Sequence, residues 1–241
     1  MNKTTLLMAC AVCAGISFVG TSFAQQPVTR GPVSGSQVVP LDAASLYQGW
    51  RASQILGDRV VNKINEELGT VRNILVGADG EIEALIVQNA GSPSFPEFVY
   101  RIPWRRVEAN QIPNKVIADI SPGAQKEYGV SLGDDGSTAL PAEFAVTKVF
   151  GDYARLQQGF AYGFVSEVVF SEGRMLAVLV IRDALAGGGI YAFGFPDETT
   201  VRWSPTLGYY GLPYVTVEKA NAAAIRVDPK RFVAATVGAG R

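Results

Sequence analysis

The stretch Leu68–Val87, LGTVRNILVGADGEIEALIV, reads as a β-hairpin. Val71, Ile74, Leu75 and Val76 form an apolar arm that ends at Gly77. Asp79-Gly80 follows, and both residue types tolerate the positive φ that a tight hairpin turn demands. The return arm, Ile82 with Ala84–Val87, is rich in β-branched and aliphatic side chains that suit a pleated surface. Each arm is about 6–8 residues, which is strand length rather than helix length.

A second version occurs at Tyr162–Val180, YGFVSEVVFSEGRMLAVLV. Gly57-Asp58, Gly69 and Val71 correspond to Gly151-Asp152, Gly163 and Val165, all 94 residues further on. Past the turn, Gly80, Ala84 and Val87 correspond to Gly173, Ala177 and Val180, 93 residues on. One residue has been lost in the turn, where length changes are tolerated. A third arm follows each hairpin, Phe98–Trp104 and Ile190–Phe195. The second hairpin is the more aromatic, with Tyr162, Phe164 and Phe170. Two units on one plan are expected, residues 42–140 and 141–232, joined by the linker Gly133–Ser137 with a boundary near Leu140.

The flanking segments read as follows. Lys3 precedes an uncharged run, Thr4–Phe23, closed by Ser22-Phe23-Ala24, a small-x-small pattern. Residues 1–24 are therefore expected to be a signal peptide cleaved after Ala24, which places the protein in the periplasm or outside the cell. An uncleaved anchor is the alternative, because the run is nearly long enough to span a bilayer. Leu7–Cys10 resembles a lipobox only weakly. Residues 25–41, rich in Gly, Ser, Pro and Gln, read as a disordered leader, and residues 233–241 as a frayed tail. Asp42 suits the cap of a short helix carrying Leu46 and Tyr47. Strands are expected at Arg59–Asn62, Asn114–Ile120 and Tyr153–Leu156, and short helices at Ser121–Tyr128 and Val217–Ala224. Phe144–Phe150 is expected to open the second unit. Trp50 and Trp104 are candidate core or seam residues.

Composition excludes much chemistry. The chain has no His, and its two cysteines, Cys10 and Cys13, both lie in the signal segment. General bases of the imidazole type, thiol nucleophiles and thiolate zinc sites are therefore absent from the mature chain, and no disulfide can staple it. Twenty Lys and Arg stand against 22 Asp and Glu after removal of Lys3, a mildly acidic balance without the basic footprint of a nucleic-acid binder. Asp134-Asp135 and Glu66-Glu67 read as solvated neighbours. Gly187–Gly189 lacks the Lys-Ser/Thr and helix of a phosphate loop. Asp79, Glu81 and Glu83 lack the spacing of a calcium loop.

Ala52–Gly57, Leu68–Val71, Asp79-Gly80, Ala84–Val87 and Ile102-Pro103-Trp104 together resemble the PRC-barrel domain. The resemblance covers about Ala52–Val107 well and about Val149–Phe195 more loosely. The segment from Trp203 to Phe232 looks like the ending of secreted bacterial members with two repeats. The resemblance implies an all-β fold, two small β-barrels in tandem with short peripheral helices. It also implies a non-enzymatic role in protein docking or in stabilising an assembly, with no catalytic residues, metal or cofactor to carry over.

The expected partner is a protein of the cell envelope. No nucleic acid is expected, nor a membrane span after signal cleavage, and the oligomeric state is open. The candidate partner surface is the aromatic segment Trp203, Tyr209, Tyr210 and Tyr214, together with the basic cluster Arg101, Arg105 and Arg106. Trp and Tyr are favoured at binding hot spots because they are large, stiff and amphipathic. Two readings of the aromatic segment stay open: a partner or glycan site, or rings packed down on the second barrel. Carbohydrate or cell-wall binding through Trp203–Tyr214 is the functional alternative, and a carboxylate-dependent hydrolase the second.

Overall fold

The computed structural model describes residues 41–89, 98–108, 114–121, 124–129, 143–184, 187–195 and 208–232. All belong to one compact unit, residues 35–241. The segments expected to be a signal peptide, most of the expected leader, the expected linker with its boundary near Leu140, and the expected tail lie outside the described residues.

In chain order the elements are α1 (Ala43–Gln48), β1 (Trp50–Arg51), β2 (Arg59–Asn62), β3 (Glu67–Gly77), β4 (Ile82–Asn89), β5 (Phe98–Pro103), β6 (Val107–Glu108) and β7 (Lys115–Ala118). There follow β8 (Glu143–Ala145), β9 (Tyr153–Arg155), β10 (Ala161–Ser171), β11 (Arg174–Ile181), β12 (Ile190–Gly194), β13 (Tyr209–Gly211), α2 (Val217–Ala223) and β14 (Ile225–Arg226). The fold is all-β with short helices at its edges. Asp42 caps α1 as expected, accepting from the Ser45 backbone N–H at 2.9 Å. Among the described residues of Ser121–Tyr128, Ala124–Tyr128 forms a short 3-10 turn.

One sheet runs β5-β4-β3-β2-β7-β6 and the other β13-β9-β10-β11-β12-β14. Hydrogen bonding closes neither path into a ring among the described strands. The two sheets share one plan. β2 pairs in parallel with β7 from Arg59 opposite Lys115, and β9 with β13 from Tyr153 opposite Tyr209. Both members of the second pair lie 94 residues beyond their counterparts. β3 carries register shifts between Val71 and Asn73 and between Leu75 and Val76; β10 carries them between Val165 and Glu167 and between Val169 and Phe170. These are the same positions, again 94 residues apart. Such bulges bend a strand and increase its twist, so each 11-residue strand changes partner along its length. Gly69 and Gly163 occupy equivalent places where β3 and β10 run against the carbonyls of Gln88 and Ile181; a Cβ at either position would collide with that backbone.

The sheets are joined by reciprocal exchange. β1 belongs to the first unit but pairs with β10, placing Trp50 opposite Phe170. β8, expected to open the second unit, pairs with β3, placing Phe144 opposite Val76. The two hairpin turns also grip each other: the Ile82 N–H donates to the Gly173 carbonyl at 2.8 Å, and the Met175 N–H to the Gly80 carbonyl at 2.7 Å. The ring that ends each third arm lies over the turn glycine of the other unit, Phe195 against Gly80 and Trp104 against Gly173. Trp50 and Trp104 are both buried and stack on one another at 6.1 Å. A single apolar core consequently runs through both sheets, from Val60, Ile74 and Leu85 to Val165, Phe170 and Phe193.

The outer face of the second sheet is apolar as well. Val169, Ala177, Leu179 and Ala192 are covered there by Leu46 and Tyr47 of α1 and by Val227 near the C-terminus. Phe232 packs on the Tyr47 ring at 5.2 Å, and the Tyr47 hydroxyl accepts from the Asp228 N–H at 2.9 Å.

Candidate docking face

Side chains alternate across a strand, so residues two apart share a face. Ile181 lies two residues beyond the covered Leu179 on β11, past the reach of α1. Its cross-strand neighbour is Phe164, and the neighbour of Phe164 is Tyr153. The three form an apolar row across β9, β10 and β11, with 43%, 42% and 46% of Tyr153, Phe164 and Ile181 exposed. Tyr153 and Phe164 meet ring to ring at 4.5 Å. The half-buried Tyr209 extends the row onto β13, opposite Tyr153.

The first sheet holds the corresponding row in the same register: Lys115, Arg59, Thr70 and Gln88. Every member is polar. One fold thus carries a wettable row in one sheet and an aromatic-aliphatic row in the other. Strand pairing therefore does not require apolar side chains here. Scattered exposed apolar residues are unremarkable, whereas contiguous ones mark interaction sites.

Arg155 stands at one side of the row. Its guanidinium lies 5.6 Å from the Tyr153 ring and 5.2 Å from the Tyr209 ring, an arrangement favourable for a cation on aromatic faces. Its Nε is buried without a partner, and Arg155 makes no ion pair among the described residues. Arg182, beyond Ile181, is otherwise engaged: it donates to Asn221 Oδ1 at 3.1 Å and covers the Tyr162 ring at 5.1 Å. Burial pushes the Tyr162 phenol above its ordinary pKa; its hydroxyl donates to the same Asn221 oxygen at 2.7 Å.

The residues singled out in the sequence disperse. Trp203 lies outside the described residues. Tyr210 does not belong to any surface: it is 2% exposed in the core, its hydroxyl unpartnered among the described residues, and burial holds its phenol far above the ordinary value. The reason is alternation within β13, which turns Tyr209 outward and Tyr210 inward. Tyr214 is half-buried against Phe193 at 5.8 Å. Arg101 is bound in a two-pronged pair to Glu143, at 2.9 and 2.7 Å, with 19% and 10% of the two side chains exposed. It clamps the exchanged β8 and is not offered to a partner. Arg105 is exposed, and Arg106 lies 3.8 Å from Asp119. Of the six that are described, Tyr209 alone joins the row. Tyr153 and Ile181 were not foreseen as site residues; the sequence signal was the aromatic bias of the second hairpin.

A separate cleft of about 360 Å³ opens on the first sheet beside Glu66, Glu67, Asn89, Phe98 and Tyr100. Phe98 is 44% exposed and stacks on Tyr100 at 6.5 Å. No group of three metal-ligating side chains occurs among the described residues, and no helix among them is long and apolar enough to cross a membrane.

The family model of the PRC-barrel domain matches residues 50–125, the span from β1 through β7. No curated protein matches the chain. The match ends before β9–β14, so the apolar row of Tyr153, Phe164 and Ile181 lies outside the matched residues, and its polar counterpart lies inside.

Proposed function

We propose that the chain is an exported, non-enzymatic PRC-barrel protein that docks onto a protein partner and stabilises an assembly in the cell envelope, with the second sheet acting as a second PRC-like barrel. The observation that carries this reading is the exposed row Tyr153-Phe164-Ile181, set against the polar row at the same register in the first sheet. Large rings on a stiff sheet face lose little entropy on binding. Export rests on the uncharged run before Ala24.

The test is in-cell crosslinking of the tagged, exported protein followed by mass spectrometry. The comparison is a variant that writes the first sheet's polar row into the second: Tyr153→Arg, Phe164→Thr, Ile181→Gln. A reproducible envelope protein captured by wild type and lost in the variant is the expected result. Equal capture by both sinks the assignment of this face.

The cleft beside Phe98 favours a second reading, carbohydrate binding, because stacked rings beside Glu and Asn side chains suit a sugar's apolar face and hydroxyls. Calorimetric titration with soluble cell-wall glycan, compared between wild type and Phe98→Ala, decides it; the absence of binding heat in wild type rules it out.

A further inference from the structure

Arg155 is the one charge of the docking face that its own chain leaves unanswered among the described residues. Its guanidinium lies on the Tyr153 and Tyr209 rings. The Nε is enclosed without a hydrogen-bond partner, and no ion pair joins Arg155 to another described residue. A buried polar atom without a partner is the exception in folded chains. The strands on either side supply no side-chain acceptor: Ala161 of β10 stands opposite Arg155, and Gly211 of β13 is its neighbour on the other side. Ala161 is exposed. In the first sheet the corresponding places are filled differently. Glu67 stands 94 residues before Ala161, and Arg59 the same distance before Tyr153. Arg59 and Glu67 form an ion pair at 3.8 Å, so the polar row carries its own cation and its own carboxylate. In the second sheet the cation stands two residues further along the same strand face, at Arg155, and the carboxylate has become the methyl group of Ala161.

We propose that the carboxylate comes from outside the chain. The face takes a segment of another protein that lays apolar side chains on Tyr153, Phe164 and Ile181 and sets an aspartate or glutamate against Arg155, over Ala161. This rests on the docking reading above and names the chemistry of its partner. A planar guanidinium matches a carboxylate through two parallel hydrogen bonds. The Tyr153 and Tyr209 rings hold the guanidinium in place before association, so less freedom is lost when the pair forms. Arg beside Tyr is also the composition that carries most of the energy at protein interfaces. The small side of Ala161 and the bare backbone of Gly211 give the incoming carboxylate room on both sides of Arg155.

The experiment compares Ala161→Glu with Ala161→Gln in the in-cell crosslinking of the exported protein, with circular dichroism as a control for folding. Both variants place a side chain of one size at an exposed position. Only Ala161→Glu writes the first sheet's carboxylate beside Arg155 and answers the guanidinium from within. It is expected to lower capture of the envelope protein by about tenfold or more, and Ala161→Gln to lower it far less. Arg155→Lys keeps the charge and supplies an amine. Carbodiimide treatment of that variant is expected to join position 155 to an aspartate or glutamate of the captured protein. Equal capture by the two Ala161 variants overturns the proposal. If capture is then still lost in the variant carrying Tyr153→Arg, Phe164→Thr and Ile181→Gln, the docking reading stands with a partner that brings no carboxylate to Arg155; if it is not lost, both fall. A carbodiimide link from position 155 to a second copy of this chain overturns the proposal in favour of self-association. Binding to phosphatidylglycerol vesicles that is lost in Arg155→Gln, with no link to a protein, overturns it in favour of a lipid headgroup.

Discussion

The indole of Trp50 stacks on the Phe170 ring with 4.7 Å between centroids, across 120 residues of sequence. The contact is one half of an exchange whose other half is Phe144 of β8 on β3. Each sheet borrows its closing strand from the neighbourhood of the other. Cutting the chain within residues 130–142 would leave each piece without that strand and would expose half of a common core. The expected outcome is that neither piece folds alone, whereas the two pieces mixed regain a β-type circular dichroism spectrum. Urea unfolding of the intact protein should show a single transition, coincident by tryptophan fluorescence and circular dichroism. Trp50→Ala should cost about 3–5 kcal/mol.

The glycines at the seam can be separated from ordinary turn glycines. Gly151 and Gly173 have similar positive φ, 83° and 79°, but a Cβ at Gly151 meets nothing within 4 Å, while one at Gly173 would lie 2.9 Å from the Trp104 indole nitrogen. Gly151→Ala should therefore cost only the backbone penalty, about 1 kcal/mol. Gly173→Ala should cost about 1–3 kcal/mol more, because the indole is packed and must shift. Equal costs by chemical denaturation would mean that the ring-on-glycine contact has no role in holding the sheets together.

Arg101 and Glu143 join β5 to the exchanged β8 through two charge-assisted hydrogen bonds in a mostly buried setting. Removing Arg101 takes both of these charge-assisted hydrogen bonds from Glu143. Arg101→Ala should destabilise by about 2–3 kcal/mol. A double-mutant cycle with Glu143→Ala should return a favourable coupling, and a coupling near zero would place Arg101 among ordinary surface charges.

Tyr210 predicts a pH dependence. Burial raises its phenol pKa in the folded chain, and Tyr214 adds to the shift, while the unfolded phenol ionises near pH 10. The folded state keeps the proton where the unfolded state releases it. The corresponding stability is complete below about pH 10 and falls by about 1.4 kcal/mol per pH unit above it. Tyr210→Phe should reduce this alkaline loss, leaving the part due to Tyr162 and Tyr214, whose phenols are also raised by burial. At neutral pH the substitution removes a buried hydroxyl that is unpartnered among the described residues and should leave stability unchanged or raise it by about 1 kcal/mol. Thermal unfolding at pH 7 and pH 11 checks both.

Much of the fold was legible because it is local. The alternation and the Asp-Gly signal at Leu68–Val87 specify a hairpin whatever lies around it, and the 94-residue correspondence carries the plan to Tyr162–Val180. Asp42 marks its helix by the chemistry of the cap. The candidate site was less legible. Tyr209 and Tyr210 are adjacent and identical, and a three-residue strand contains too little alternation to say which of them faces the core. Arg101 looked like a free basic neighbour of Trp104 because its partner, Glu143, is 42 residues away.

The amino-acid sequence alone determined the strands, the turns, the 94-residue correspondence and the absence of imidazole chemistry, since each depends on residues close together or on composition. Tertiary structure decided which strand completes which sheet, which tyrosine is buried and which apolar side chains remain outside. Those outcomes depend on pairings between residues far apart in the chain, where many registers satisfy the same local pattern. Only packing a common core selects the one that leaves Tyr153, Phe164 and Ile181 facing outward.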